Sequence, residues 1–122
     1  RRAARDREKA SSVAVRLIDE GLRMADHPGV AFHDSPTHGR VACLANGPDI
    51  AEVIDVLTGL VAEGDDRISE TATWLGIHPF RVRVAMGYYT AFRDEIDHQI
   101  DVRRREAVES RGRYEAEQAL LE

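Results

Sequence analysis

The stretch Ile68–Gly87, ISETATWLGIHPFRVRVAMG, decides the fold of this chain. Ala72 is the small residue that lets two helices approach closely, and Gly76 follows where a tight turn needs a positive φ. Val82 supplies the β-branched contact of the second helix. Thr71 departs from the pattern, because its position usually carries a hydrophobe. The stretch predicts a helix-turn-helix and favours nucleic-acid binding or regulation over catalysis.

Charge is distributed unevenly along the chain, whose net charge is −5. Residues 49–70 carry one arginine against seven acidic groups, whereas residues 71–93 carry three arginines and no acid. An acid-free window around the second helix of the motif suits a DNA-binding face on an acidic protein. His78, Arg81 and Arg83 are therefore predicted to face the DNA groove or its phosphates.

The N-terminal segment, residues 1–26, predicts two helices. Arg1–Lys9 has the composition of a short charged helix. Ser11 or Ser12 can cap a second helix, Val13–Ala25, whose apolar residues recur at helical spacing. Pro and Gly after His27 then end it.

Residues 27–101 predict a hairpin followed by the helix-turn-helix domain. Two short strands, Val30–His33 and Arg40–Leu44, are joined by a polar turn. Asp49 is expected to cap a helix that runs to about Ala62. The fold class is therefore mainly α: a helix-turn-helix domain with a small β-hairpin and a long C-terminal helix.

The last helix is expected to begin at Pro79, a favoured first-turn residue, and no breaker follows before Gly112. Apolar residues recur along it from Val82 to Ile100 and form either core or a dimer seam. Tyr88 and Tyr89 point about 100° apart on a helix, so we expect one in the core and the other free for a partner.

Two aromatic residues of the motif bear on its partners. Trp74 is expected in the core or at a dimer seam. Phe80 stands early in the second helix, and an exposed aromatic there suits a protein interface.

Residues 27–100 resemble a family of small bacterial proteins known as domain of unknown function 433, whose members are often described as VapB-type antitoxins. The markers are His27-Pro28-Gly29, Gly47-Pro48-Asp49, Tyr88-Tyr89 and Asp94-Glu95-Ile96-Asp97. The aromatic residue that often follows such a Pro-Asp pair is here Ala51 or Glu52. The resemblance implies a helix-turn-helix antitoxin of a type II toxin-antitoxin system, with a PIN-like ribonuclease toxin as partner and operator DNA as the repressed target.

The N-terminus carries a second resemblance, because SSVAVRLIDEGLRM is similar to the second helix of a ribbon-helix-helix repressor. Arg1–Lys9 is similar to the first helix, and the ribbon strand is missing. We expect no base reading from this end. The backbone N–H groups of Ser12 and Val13 could still hold a DNA phosphate at the start of the second helix. The alternative is an amphipathic helix that packs on the core.

The C-terminal tail, residues 102–122, has too few hydrophobes to bury by itself, so it is either solvated or binds a partner. The PIN-like partner implied by the resemblance gathers carboxylates around Mg²⁺, and arginine can pair with carboxylates bidentately. The alternative is a solvated helical extension with weak ion pairs. The candidate toxin contacts are Arg103, Arg104, Arg105, Arg111, Arg113 and Tyr114.

Other function classes have less support. No nucleophile, base and oxyanion donor can be assembled, and the histidines have no metal-ligand spacing, so we expect neither an enzyme nor a metal or cofactor site. Cys43 is alone, which suits the cytoplasm. No apolar run is long enough for a membrane span, and no signal peptide is visible.

Surplus apolar surface predicts a homodimer. The chain begins with Arg1, so we expect it to be trimmed or a fragment. The competing hypothesis is a protein-interaction module or transcriptional regulator without a toxin partner, in which the helix-turn-helix is architectural.

Overall fold

The computed structural model describes the backbone of residues 2–122 and the side chains of residues 9–122. This part of the chain is mainly helical, with a small antiparallel hairpin and a long C-terminal helix, so the predicted fold class is confirmed. The elements in chain order are α1 (Arg2–Asp26), β1 (Val30–Ser35), β2 (Gly39–Leu44), α2 (Ile50–Gly59), α3 (Asp65–Leu75), α4 (Pro79–Ala91) and α5 (Arg93–Ala119). Over the same residues, no helix combines the length and the apolar character that crossing a bilayer requires.

The N-terminal segment forms one helix, α1, and the prediction of two helices is wrong. Ser11 and Ser12 lie inside this helix and are exposed, so neither caps a helix start. No glycine or proline stands near them, and a serine inside a helix costs only about 0.5 kcal/mol relative to alanine. Helix therefore continues through the expected break.

The hairpin pairs β1 with β2 in a register that runs from Val30 opposite Leu44 to Ser35 opposite Gly39. Gly39 has a φ of 72°, a left-handed conformation that glycine adopts without a Cβ penalty. Val30, Ala42 and Leu44 are buried, so one face of the hairpin lies on the helical core.

The core lies between the hairpin and the helices α2 to α5. In α2, Ile50, Val53 and Ile54 are buried at helical spacing. This helix ends at Gly59, before the predicted Ala62, because Leu60 is extended with φ −83° and ψ 147°. The other large core side chains are Leu44, Leu57, Ile68, Val82, Tyr88, Ile96 and Ile100.

A helix begins at Pro79, as predicted, but it ends at Ala91 and the last helix begins at Arg93, so the expectation that the last helix begins at Pro79 is wrong. Phe92 leaves helical geometry, with φ −131° and ψ 47°. Its ring centroid lies 4.6 Å from that of Tyr88 and 3.9 Å from the guanidinium carbon of Arg23. The break thus coincides with aromatic and cation–π packing against α1, which nothing in the local sequence indicates.

The apolar stripe from Val82 to Ile100 packs within the single chain. Val82, Ile96 and Ile100 are buried, and Tyr89 is half-buried against the same core. Of the two alternatives for this stripe, core or dimer seam, the structure selects the core.

Candidate functional site

The turn between α3 and α4 has the geometry that the sequence predicts. Gly76 is left-handed, with φ 66° and ψ 35°, and the Ile77 N–H donates to the Ala72 carbonyl at 3.0 Å. Ala72 and Val82 are buried in the core, which brings the two helices together. The predicted helix-turn-helix arrangement is confirmed.

Thr71, the residue that departs from the motif, is fully buried. Its hydroxyl donates to the Arg67 carbonyl oxygen at 2.8 Å, inside α3. A buried hydroxyl with a hydrogen-bond partner avoids the desolvation cost of an unpaired one. The motif therefore tolerates threonine where a hydrophobe is usual.

His78 is the N-cap residue of α4. Its Nδ1 accepts a hydrogen bond from the Phe80 N–H at 3.0 Å, and Pro79 occupies the first turn. The side chain is exposed at the end of the helix where unpaired N–H groups favour anions. His78 is thus still placed to meet a phosphate.

Arg81 is half-exposed and makes a contact with the body of the protein that the sequence did not indicate. Its guanidinium donates to the Ala45 carbonyl oxygen in the loop before α2. A Cβ added at Gly47 would stand 3.0 Å from the Arg81 Nη2 atom and 3.3 Å from the Leu44 Cβ, so a larger residue there would displace the Arg81 guanidinium. Arg81 thus joins the loop to α4, and its role as a DNA contact stays a prediction.

Arg83 remains on the outward side of α4. Its side chain is exposed, and its Nη2 lies 3.3 Å from an oxygen of the even more exposed Asp65. An ion pair in such exposed positions is weak and can exchange for another anion. Phe80 is also exposed, at 65%. The outward side of α4 therefore offers a mobile cation and an aromatic ring.

Three aromatic residues of α3 and α4 now have defined environments. Trp74 is 75% exposed on α3, which excludes the core and leaves the dimer seam, the other alternative. Tyr88 is the buried member of the tyrosine pair, with its hydroxyl between Arg23 and Glu95. Tyr89 is half-buried, and its hydroxyl donates to Asp97 at 2.7 Å, so it is not the free partner contact expected of the second tyrosine.

No helix begins at Ser12, which removes the phosphate site expected there. Because α1 runs from Arg2 to Asp26, the N–H groups of Ser12 and Val13 lie within the helix. Backbone N–H groups inside a helix are used by the carbonyls four residues earlier. Ser12 keeps only its exposed hydroxyl.

The tail continues as helix, and its first part is fastened to the body. Arg103 lies 3.5 Å from Asp49, and Arg104 donates to Asp55 at 2.6 Å. These two predicted toxin contacts thus already have carboxylate partners on α2 or just before it. They orient α5 on the rest of the chain.

From residue 107 to residue 122 every side chain is exposed. Arg111 and Tyr114, three residues apart, are neighbours on the surface of α5. Arg105 lies nine residues before Tyr114, which places it about 180° away around the helix. The predicted contacts are therefore divided between opposite sides of α5, and a single partner surface can meet only one side.

A polar cluster that sequence reasoning missed lies on the outer side of the hairpin. His33 Nε2 is 2.6 Å from Asp49 Oδ1, and His38 Nε2 is 3.1 Å from Glu106 Oε2. The Asp49 carboxylate makes no capping bond to α2, although Asp49 occupies the N-cap position as predicted. The sequence could not indicate this cluster, because His33 and Asp49, and His38 and Glu106, are far apart along the chain and only the fold brings them together.

An open groove of about 550 Å³ beside this cluster is lined by residues that include His33, Cys43, Asp49 and Glu52. Burial and the nearby Asp49 carboxylate raise the pKa of the Cys43 thiol, so it stays protonated near neutral pH. A protonated thiol is a poor nucleophile. Among the described residues, no group of three or more His, Cys, Asp or Glu side chains is placed to hold a metal ion.

Comparisons with protein-family models, with curated proteins and with solved structures gave no match.

Proposed function

We propose that this chain is the antitoxin of a type II toxin-antitoxin system, which binds and inhibits a PIN-like ribonuclease and represses its own operon by binding DNA. The observation that carries the proposal is the end of α5, a helical arm exposed from residue 107 onward. Its side chains are all exposed and so available to a partner, and a helical arm without packing is marginal in water and would gain stability from one.

The chemistry of the arm suits an acidic partner with apolar recesses. Arg111 can pair bidentately with a carboxylate, and Tyr114 offers a ring that is 62% exposed. Val108, Leu120 and Leu121 are exposed along the same arm. Arg103 and Arg104, held by carboxylates of this chain, act in the proposal by aiming the arm.

The DNA-binding half of the proposal is supported by the turn geometry at Gly76 and by the outward side of α4. His78 and Arg83 are exposed there, and α4 itself contains no acidic residue. Asp65 and Asp66 at the start of α3 lower the positive potential nearby. The DNA contact therefore depends on few cations per chain.

The exposed aromatic residues Trp74 and Phe80 favour the competing function, a protein-interaction module in which the helix-turn-helix is architectural. Trp74 lines an open groove with Leu60 and Thr73 on α3 and the loop before it. Aromatic residues are enriched at protein interfaces. Under this alternative, α3 and α4 would bind a protein and not an operator.

The test is inhibition of RNA cleavage by a PIN-like nuclease encoded beside this chain. Deleting residues 107–122 removes the arm but keeps Arg103, Arg104 and Glu106 on the body, and should abolish inhibition. The double variant Arg111→Ala/Tyr114→Ala should weaken inhibition tenfold or more, which corresponds to about 1.4 kcal/mol. Arg105→Ala, on the opposite side of α5, is the matched control and should change it less than about twofold. A truncated chain that inhibits as well as the full chain at equal concentration would refute the toxin-binding proposal.

A further inference from the structure

The side of α1 that faces the body is its charged side. Glu20 is buried at 5% exposure and accepts two hydrogen bonds from Arg40, with Nε at 3.1 Å. Arg23 donates to the Tyr88 hydroxyl at 2.8 Å and to Glu95 at 2.9 Å. Among the described side chains of α1, Glu20 alone is buried.

The apolar side of α1 faces away from the body. Ile18 and Leu22 each stand two residues from Glu20, which places them about 200° around the helix from it. They are 64% and 63% exposed. A surface helix normally turns its apolar side to the core and its charged side to water. The helix α1 does the opposite within a single chain, so its apolar side requires another cover.

The exposed residues are spaced for packing against a second helix. Val15, Ile18, Leu22 and Ala25 follow at intervals of three or four, the repeat of a helix–helix seam. We call the surface formed by Val15, Leu17, Ile18, Leu22 and Ala25 the α1 apolar face. A Cβ added at nearby Gly21 would meet nothing within 4 Å, so the described residues leave this side of the helix uncovered at that position.

We propose that the α1 apolar face pairs with the same face of a second copy of this chain, with the two α1 helices antiparallel. Within this face Val15, Leu17, Ile18 and Leu22 are each 55–68% exposed. They give it a contiguous apolar surface of several hundred Å², about the size that marks an interaction site on a monomer and a large part of the roughly 800 Å² per partner of a standard interface. A face that pairs with itself generates a closed two-fold dimer and leaves no apolar remainder.

Charge selects the antiparallel orientation. Residues 1–9 carry five basic and two acidic groups, a net charge of +3, and residues 10–26 carry two basic and three acidic groups, a net charge of −1. An antiparallel pair centred near Ile18 keeps the two basic starts apart, one at each end of the dimer. A parallel pair would instead place the two basic starts together.

The test measures the dimer dissociation constant by sedimentation equilibrium of the full chain. The variant Ile18→Glu/Leu22→Glu should weaken the dimer at least 100-fold, because it buries four carboxylates per dimer. The matched control Val108→Glu/Leu121→Glu makes the same change at exposed apolar positions outside the α1 apolar face and should leave dissociation unchanged. Circular dichroism should show both variants folded, since neither pair of side chains is buried.

Cysteine cross-linking tests the orientation independently. Ser11 and Ala25 lie equally far on either side of Ile18. An equal mixture of Ser11→Cys and Ala25→Cys chains should form a mixed disulfide dimer, and neither chain alone should cross-link. A wild-type chain that is monomeric at 100 μM overturns the proposal, as does a dimer unaffected by Ile18→Glu/Leu22→Glu. Cross-linking of Ala25→Cys chains with themselves overturns the antiparallel orientation.

Discussion

At the residue scale, the pair formed by Glu20 and Arg40 attaches α1 to the hairpin across a small contact. The hydrogen bonds from Arg40 hold the pKa of the Glu20 carboxyl below its usual value, although burial acts in the opposite direction. A carboxyl whose pKa is lower in the folded state stabilises the fold above the unfolded pKa, about 4.3. That contribution is lost as the pH falls through the folded-state pKa.

Glu20→Gln should therefore lower the free energy of unfolding by about 1–3 kcal/mol at pH 7, because it leaves the half-buried Arg40 with only the exposed Asp34, 3.5 Å away, as a charge partner. Urea unfolding at pH 7 and pH 3.5 would measure this, and the difference from wild type should narrow at the lower pH. Asp26→Asn, an exposed carboxylate of the same helix, is the control and should change stability by about 0.5 kcal/mol or less. Equal losses of stability in the two variants at pH 7 would show that the pair of Glu20 and Arg40 stabilises the fold no more than an exposed carboxylate does.

At the scale of elements, α4 carries two arginines, Arg81 and Arg83. The sequence predicted both as DNA contacts, but their partners in the structure differ. Arg83→Ala should weaken binding to promoter DNA and lower the slope of log affinity against log salt by about 0.9 for each phosphate that is no longer neutralised. Arg81→Ala should leave that slope unchanged and lower stability instead, because it frees the Ala45 carbonyl and loosens the loop before α2. Fluorescence anisotropy over a salt series measures the slope. If Arg81→Ala reduces the slope as much as Arg83→Ala, the assignment of the two side chains is wrong.

The elements also show how far the sequence alone could go. Gly76, Ala72 and Val82 were enough to predict the helix-turn-helix, because that motif depends on local spacing and one left-handed residue. The interruption at Phe92 and the bond from Arg81 to the Ala45 carbonyl could not be predicted, since both depend on contacts with segments far along the chain.

The sequence predicted only in part which side of each helix faces the core. The apolar side of α1 was recognised from its spacing, but its direction was not, because Arg40 and Glu95 decide it from other elements. For the candidate site, exposure of His78 and Arg83 agrees with the sequence interpretation. The sequence could not show that Arg103 and Arg104 are paired within the chain, because their partners Asp49 and Asp55 lie far away in the sequence.

At the scale of the whole molecule, the chain presents two unpaired surfaces with different proposed occupants, the α1 apolar face and the arm beyond residue 107. The α1 apolar face should become occupied as the protein concentration rises, because its proposed partner is a second copy of the same chain. The arm should become occupied only when the toxin is added. The core of α2 and α4 depends on neither, because its side chains are buried within one chain.

Amide hydrogen exchange of the full chain should therefore resolve three behaviours. Amides of α2 and α4 should exchange slowly throughout, and those of residues 13–26 should slow as the protein concentration rises through the dimer dissociation constant. Amides of residues 107–119 should exchange fast at every concentration and slow only when the nuclease is added, because a helix without packing opens at almost no cost in free energy. The Ile18→Glu/Leu22→Glu variant should remove the concentration dependence and keep the response to the nuclease. Slow exchange at residues 107–119 in the free chain would contradict this picture, since it would mean that the arm is already packed against protein.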